Sequence, residues 1–242
     1  MFSRPSAGAR GPYDAAFLPR LTLTLRAADE PVTAPVAKLG GEPVWLEEPC
    51  WPVDPVTGHP LVFIGQFPVP GDELRLAYLF VGEDGRIMGG LGPQDGDGLL
   101  LVQPGGRIPP FASIGSTDTR GRTLWRWGPD EEEIPVEFHV DFATAPDHLE
   151  RQVARDVAWE AFMRGDSPDD VDFFGADLVE YLGGTASFPH TTAQVEEPWL
   201  FFIRLQDSPD DGDRYFLNFG YGYGFGFLSP DRLEGRFYWE SS

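Results

Sequence analysis

The chain has 242 residues, with 18 basic against 39 acidic side chains for a net charge of −21, and it carries 29 glycines, 24 prolines and 14% aromatics. That length supports a sizeable core, the aromatics exclude a disordered chain, and the negative field disfavours nucleic acid and anionic lipid as partners. Cys50 is the single cysteine, which excludes an intrachain disulfide and a cysteine-based zinc cage.

The first residues contain arginines but no apolar core of signal-peptide length. No run of about 18 apolar residues occurs anywhere, so a cytoplasmic location with no membrane contact is expected. The first predicted strand is RLTLTLRA, where Leu21, Leu23 and Leu25 alternate with Thr22, Thr24 and Arg26. Further strands follow at PLVFIGQF (60–67), LRLAYLFV (74–81), GLLLVQ (98–103) and IPVEFHVDF (134–142), each bounded by Gly, Pro or Asp. The period then changes. Thr144, Ala145, Pro146 and Asp147 read as a helix start, and Leu149, Val153 and Val157 recur every fourth residue, predicting a helix over 145–164 that Gly165 ends. The acidic, glycine-broken stretch after it reads as loop.

A weak internal repeat frames that helix. KLGG (38–41) precedes the strand PLVFIGQF, and YLGG (181–184) precedes PWLFFIRL (198–205). Each is followed by an acidic turn, PGDE or SPDDGD, and by another aromatic strand, LAYLFV or RYFLNF. The expected fold is therefore α+β and β-rich, with two similar antiparallel β halves (36–142 and 175–242) joined by the helix; residues 1–35 form an N-terminal extension with one strand.

The stretch FGYGYGFGF (219–227) alternates glycine with an aromatic ring. A phosphate-binding glycine loop would open a helix, and no helical pattern follows here. Fully extended, the stretch would put Phe219, Tyr221, Tyr223, Phe225 and Phe227 on one face and leave a bare glycine face opposite. The favoured alternative is a tight turn near Gly220–Gly222 with RYFLNF and YGFGFLS as its hairpin arms.

The stretches AKLGGEPVWLEEPCWP, TGHPLVFIGQF, LLLVQPGGRIP and YFLNFGYGYGFGFLSPDRLEGRFYWE, in this order, resemble the bacterial YwqG-like family across about residues 36–242. The resemblance implies a β-rich α+β fold and a cytosolic protein without established enzymatic activity. It also implies kinship with proteins encoded beside toxin genes and suspected of immunity roles. One position departs from the pattern: Tyr221 stands where relatives usually carry an aspartate.

No catalytic motif emerges. His59, His139, His148 and His190 are dispersed, no metal-ligand spacing occurs, and ASIGS does not fit a nucleophile elbow. QDGDG and DSPDDGD lack the spacing of a calcium loop. No cofactor and no metal are expected. The charge favours non-enzymatic binding of a basic protein, and the resemblance implies that this partner is a basic toxin neutralised by an immunity protein. The alternative is a small-molecule binder or enzyme using a cleft between the two halves. The candidate contact residues are Trp45 and Trp51 on a proline-rich loop, Asp210, Asp211 and Asp213 on an acidic turn, and Tyr221 and Tyr223 in the terminal stretch. Trp125 and Trp127, two apart, share one face of a strand.

Overall fold

The protein is described from a computed structural model, which covers residues 18–82, 98–147, 157, 161, 164, 180–188, 195, 198–207, 217, 219 and 222–240. Its strands are β1 (Leu21–Ala27), β2 (Lys38–Gly40), β3 (Pro52–Val53), β4 (Val62–Pro68), β5 (Leu76–Val81), β6 (Gly98–Gln103), β7 (Ser113–Ile114), β8 (Trp125–Trp127), β9 (Glu133–Pro135), β10 (Glu137–Thr144), β11 (Tyr181–Leu182), β12 (Leu200–Gln206), β13 (Tyr223–Leu228) and β14 (Gly235–Glu240). Ten of them form one sheet in the order β14-β13-β12-β11-β1-β10-β2-β4-β5-β6. Every neighbouring pair in it is antiparallel.

The alternating leucines of the first strand set the middle of this sheet. Leu23 lies opposite Phe142 and Leu25 opposite Val140, and all three leucines of β1 pack on the main core. On either side of this β1–β10 pair extends an arm of four strands, and the two arms share their register. Leu39 pairs with Gly65 in one arm and Leu182 with Ile203 in the other. Both arms then carry a bulge at the same place, between Phe63 and Gly65 and between Phe201 and Ile203. The next strands pair Phe63 with Phe80 and Phe201 with Phe227, and the last pair Val81 with Gly98 and Leu228 with Gly235.

The outermost strands also meet each other. A side chain at Gly98 would lie 2.6 Å from the Phe237 ring, and one at Gly235 would lie 2.1 Å from the Leu100 carbonyl oxygen. These two glycines stand at matching register positions of β6 and β14, so their missing side chains let the sheet curl until its ends touch. The Arg107 amide then donates to the Leu233 carbonyl (2.6 Å) just beyond the seam. The sheet is nearly closed, with its inner face filled by Leu39, Leu79, Leu100, Leu182, Phe202, Phe237 and their neighbours. Two further cores lie on the outer faces, one under each arm's covering loops.

The expected α+β class is corrected by this architecture. The regular secondary structure of the described residues is almost wholly strand, and the arms are joined inside one sheet through β1 and β10 rather than by a helix. The strand assigned to an N-terminal extension is thus central. Of the span 145–164, Ala145–Asp147 are neither helix nor strand, Val157 and Ala161 have helical backbone, and most of the rest lies outside the described residues.

The hairpin assigned to RYFLNF and YGFGFLS is also corrected. Both edges of β13 are taken, by β12 and by β14. A turn does close at Gly222, whose amide donates to the Phe219 carbonyl (3.0 Å). Tyr223, Phe225 and Phe227 share the outer face, whereas Phe219 sits in the main core. The glycine face is filled from within: a side chain at Gly224 would meet Phe237 at 2.5 Å and Phe219 at 2.8 Å, and one at Gly226 would meet Ile203 at 2.7 Å.

The turn leaving β2, set against the loop between β3 and β4, generates a prediction. Gly40 and Gly58 have similar left-handed backbones (φ +69° and +73°), but a side chain at Gly40 would lie 1.9 Å from the Val136 carbonyl oxygen, while Gly58 faces open space. Gly58→Ala should lose about 1–2 kcal/mol, the left-handed penalty alone, and Gly40→Ala should lose clearly more. Urea unfolding of both variants checks this, and equal losses would show that the carbonyl contact is irrelevant.

Candidate functional site

The loop after Gly41 crosses the outer face of the first arm, and three side chains from the sheet below hold it there. Gln66 accepts from the Val44 amide (2.8 Å) and donates to the Val36 carbonyl (2.9 Å). The Tyr78 hydroxyl accepts from the Leu46 amide (3.2 Å) and donates to the Val44 carbonyl (2.8 Å). Gln103 accepts from the amides of Leu46 and Glu47 (both 3.2 Å) and donates to the Glu48 carbonyl (3.0 Å). An extended loop has no internal ladder, so these partners satisfy backbone groups that would otherwise be buried unpaired. Burial pushes the Tyr78 phenol well above its ordinary pKa, with a smaller upward push from the Glu47 charge.

Apolar contacts complete the cover. Trp45 stacks on Tyr78 (4.9 Å between centroids) and on Phe80 (6.1 Å). Trp51 is fully buried, and its indole N–H donates to the Leu61 carbonyl (2.8 Å). Beyond Trp51 the loop pairs as β3 with β7, which fixes a second wall.

Between these walls lies a cleft of about 540 Å³ lined by Glu47, Glu48, Pro49, Cys50, Leu101 and Gln103 on one side and by Gly106, Arg107, Ile108, Ile114 and Thr117 on the other. All of these residues come from the first arm and its loops, so the cleft does not lie between the two halves. Its charges are unequally committed. Arg107 forms a two-pronged pair with Asp231 (2.6 and 3.0 Å) and reaches Glu234 (3.3 Å). The hydrogen bonds that it donates to Asp231 hold the guanidinium above its ordinary pKa, and those that Asp231 accepts from Arg107 and Ser229 hold its carboxyl well below the usual range. Burial pushes the Cys50 thiol above its ordinary pKa, so its neutral form adds to the apolar wall of the cleft.

A second feature stands clear of the large sheet. β8 and β9 form a separate two-stranded hairpin in WRWGPDEEEIP. Its turn is closed by the Gly128 amide on the Glu132 carbonyl (2.7 Å) and the Asp130 amide on Glu132 Oε2 (2.9 Å). Four successive acids, Asp130 to Glu133, are exposed at its tip, and Trp127 beside them is 48% exposed. The Trp125 and Trp127 rings meet edge to face at 4.7 Å, Arg122 pairs with Glu133, and the Arg122 guanidinium lies over Trp125 (5.7 Å). The hairpin therefore offers a stiffened aromatic next to concentrated negative charge.

The structure separates the seven residues singled out by sequence. Trp45 is half-buried as the lid of the first arm's outer core, and Trp51 is inside that core. Tyr223 is 6% exposed in the outer core of the second arm, with the Arg204 guanidinium 4.2 Å above its ring. Asp210, Asp211, Asp213 and Tyr221 lie outside the described residues. Buried Trp51 and Tyr223 are packing residues, so they present no surface to a partner. Glu47, Glu48, Gln103 and Arg107 were missed because their roles depend on two loops meeting; Glu47–Glu48 beside two prolines was the one available signal. The hairpin acids were equally legible as a run of four that begins with the Asp of a turn-forming Gly-Pro-Asp, next to the Trp125–Trp127 pair.

Among the described residues no group of three or more His, Cys, Asp or Glu side chains is placed to hold a metal, and no helix is long and apolar enough to cross a membrane. No family model, curated protein or solved structure matches the chain.

Gln103→Leu removes all three bonds to the loop while keeping an apolar filler of similar size. Stability should fall by roughly 2 kcal/mol, because the Glu47 amide loses its acceptor and the Glu48 carbonyl its donor while the Leu46 amide keeps the Tyr78 hydroxyl, and hydrogen exchange at Glu47 should accelerate. Unchanged exchange there would show that Trp45 packing alone holds the cover. Tyr78 makes a pH prediction with a definite sign. Its raised folded pKa means the contribution is complete below the ordinary tyrosine pKa of about 10 and is lost as pH rises above it. Wild type should therefore lose stability relative to Tyr78→Phe above about pH 10, measured by urea unfolding across an alkaline series.

Proposed function

We propose that this protein is a non-enzymatic cytosolic binding protein whose partner is a basic protein, in the manner of an immunity protein holding a toxin. The observation that carries the reading is the β8–β9 hairpin, which joins exposed Trp127 to the four carboxylates of Asp130–Glu133. Aromatic anchors dominate binding energy at protein interfaces, and complementary charge raises the rate at which partners meet. The net charge of −21 extends the same preference to the whole molecule. The YwqG-like resemblance supports it further, through the immunity roles suspected for that family. The reading places no nucleic acid and no membrane among the partners.

The experiment pairs the wild-type chain with a hairpin variant, Trp127→Ala with Asp130→Asn and Glu131→Gln, as baits in native lysate. Among the described residues neither Asp130 nor Glu131 makes a side-chain hydrogen bond, and Trp127 is 48% exposed, so the variant should lose little beyond the Trp125–Trp127 ring contact and stay folded in a urea titration. A basic protein should be held by wild type and lost from the variant. With that purified protein, the wild-type association rate should fall roughly tenfold between about 0.05 and about 0.5 M salt. A captured partner without basic character, or one held equally by the variant, would sink the reading.

A further inference from the structure

We propose that the cleft over the first arm is a binding site for a primary ammonium group carried on an apolar stem. This goes beyond the hairpin reading and does not rest on it. The volume of about 540 Å³ falls within the usual range of small-ligand sites, roughly 300–1,000 Å³. Its lining divides by chemistry into an apolar slot and a charged rim. Pro49, Cys50, Leu101, Ile108 and Ile114 form the slot, and Ile108 is 51% exposed, an apolar side chain that an occupant would cover.

The rim is negative. Glu47 and Glu48 are exposed, and neither has an ion-pair partner among the described residues. One Glu47 oxygen accepts from the Gly105 amide (3.0 Å), which holds that carboxylate at the mouth. The cation on the other wall offers little to an anion, because Arg107 is already held by Asp231 and Glu234. The uncompensated charge therefore belongs to Glu47 and Glu48, and it selects a cation. Two neighbouring carboxylates above apolar walls cannot complete the oxygen shell a calcium ion needs, whereas an ammonium needs only a few acceptors and leaves its stem to the slot.

The walls are also fixed in advance. Gln103 ties down the backbone from Leu46 to Glu48. On the facing side, a side chain at Gly106 would lie 1.9 Å from the Val102 carbonyl oxygen, so this loop lies directly on β6. Little ordering remains to be done when a ligand enters, which favours binding.

The test is an amide NMR titration of the full chain with three probes of one stem length: hexylammonium, hexanol and hexanoate. Hexylammonium should shift signals of residues 47–50, 106–108 and 114–117 and bind at least about fivefold more tightly than hexanol, with no saturation by hexanoate. Glu48→Gln, at an exposed position, should weaken hexylammonium about fivefold or more and leave hexanol unchanged. Cys50, the chain's single cysteine, gives a second reading on the unaltered protein, since bound hexylammonium should slow its alkylation. Equal affinity for hexanol, shifts confined to other residues, unchanged binding by Glu48→Gln or unprotected Cys50 would each overturn the proposal. A capped lysine tested alongside separates the sources: affinity matching hexylammonium assigns the slot to a protein's lysine, and much weaker binding assigns it to a free amine. The Trp127→Ala variant should bind hexylammonium as wild type does, which keeps this result independent of the hairpin reading.

Discussion

The arrangement of both outer faces depends on left-handed backbone at two glycine pairs, Gly40–Gly41 and Gly183–Gly184, with φ between +61° and +69°. Each pair ends the first strand of an arm and sends the chain out of the sheet. At Gly40 the place of a side chain is taken by the Val136 carbonyl, and at Gly183 by that of Pro19. Those carbonyls stand at matching positions just ahead of the central strands, two residues before Phe138 and Leu21, which pair with Leu39 and Leu182. Only a residue without Cβ turns left-handed so close to another backbone. The chain then continues on the outside of the sheet, where it covers the aromatic faces.

Matching frames carry different coverings. The Gln66 and Gln103 positions of the first arm correspond in register to Arg204 and Glu240 in the second, and Tyr78 corresponds to Phe225. The first arm thus holds its cover with neutral groups, each meeting backbone directly. In the second, Arg204 and Arg20 are both 1% exposed and lie against tyrosine rings, Arg20 at 3.9 Å over Tyr181. Buried charge tolerates little displacement, because moving one member leaves another uncompensated in low dielectric. A neutral pin leaves its loop free to carry charges of its own at the surface, and Glu47 and Glu48 lie on that loop.

Sequence made the strands legible where alternation or an apolar run was bounded by turn residues, as at 21–27, 62–68, 76–81 and 98–103. The two LGG turns were visible for the same reason, since consecutive glycines mark left-handed backbone. What could not be read was the pairing. Nothing local to Leu21–Ala27 says that it will lie beside Glu137–Thr144, more than a hundred residues away, and that pairing moves the strand from an appendage to the centre. The same blindness misplaced Trp51 and Tyr223: loop prolines and a terminal glycine run suggest surface, but burial follows from which sheet face the chain crosses. The cleft was hidden because its rim and its far wall are about sixty residues apart in sequence.

The glycine–aromatic stretch shows how one pattern serves two faces. Tyr223, Phe225 and Phe227 need room for large rings outside, while Gly224 and Gly226 admit Phe219, Phe237 and Ile203 inside. Large side chains on both faces would hold the inner rings away and open the seam at Gly98 and Gly235. The acidic surface divides by a related geometric argument. Asp130 and Glu131 project into solvent, where charge acts over roughly a Debye length of 10 Å at 0.1 M salt and chiefly governs how fast partners meet. Glu47 and Glu48 stand over a partly enclosed apolar slot, where salt screens less and short-range contact decides what stays bound. Under the two proposals, these negative features would serve different tasks, encounter at the hairpin and retention at the cleft, although the sequence presents both as simple acidic runs.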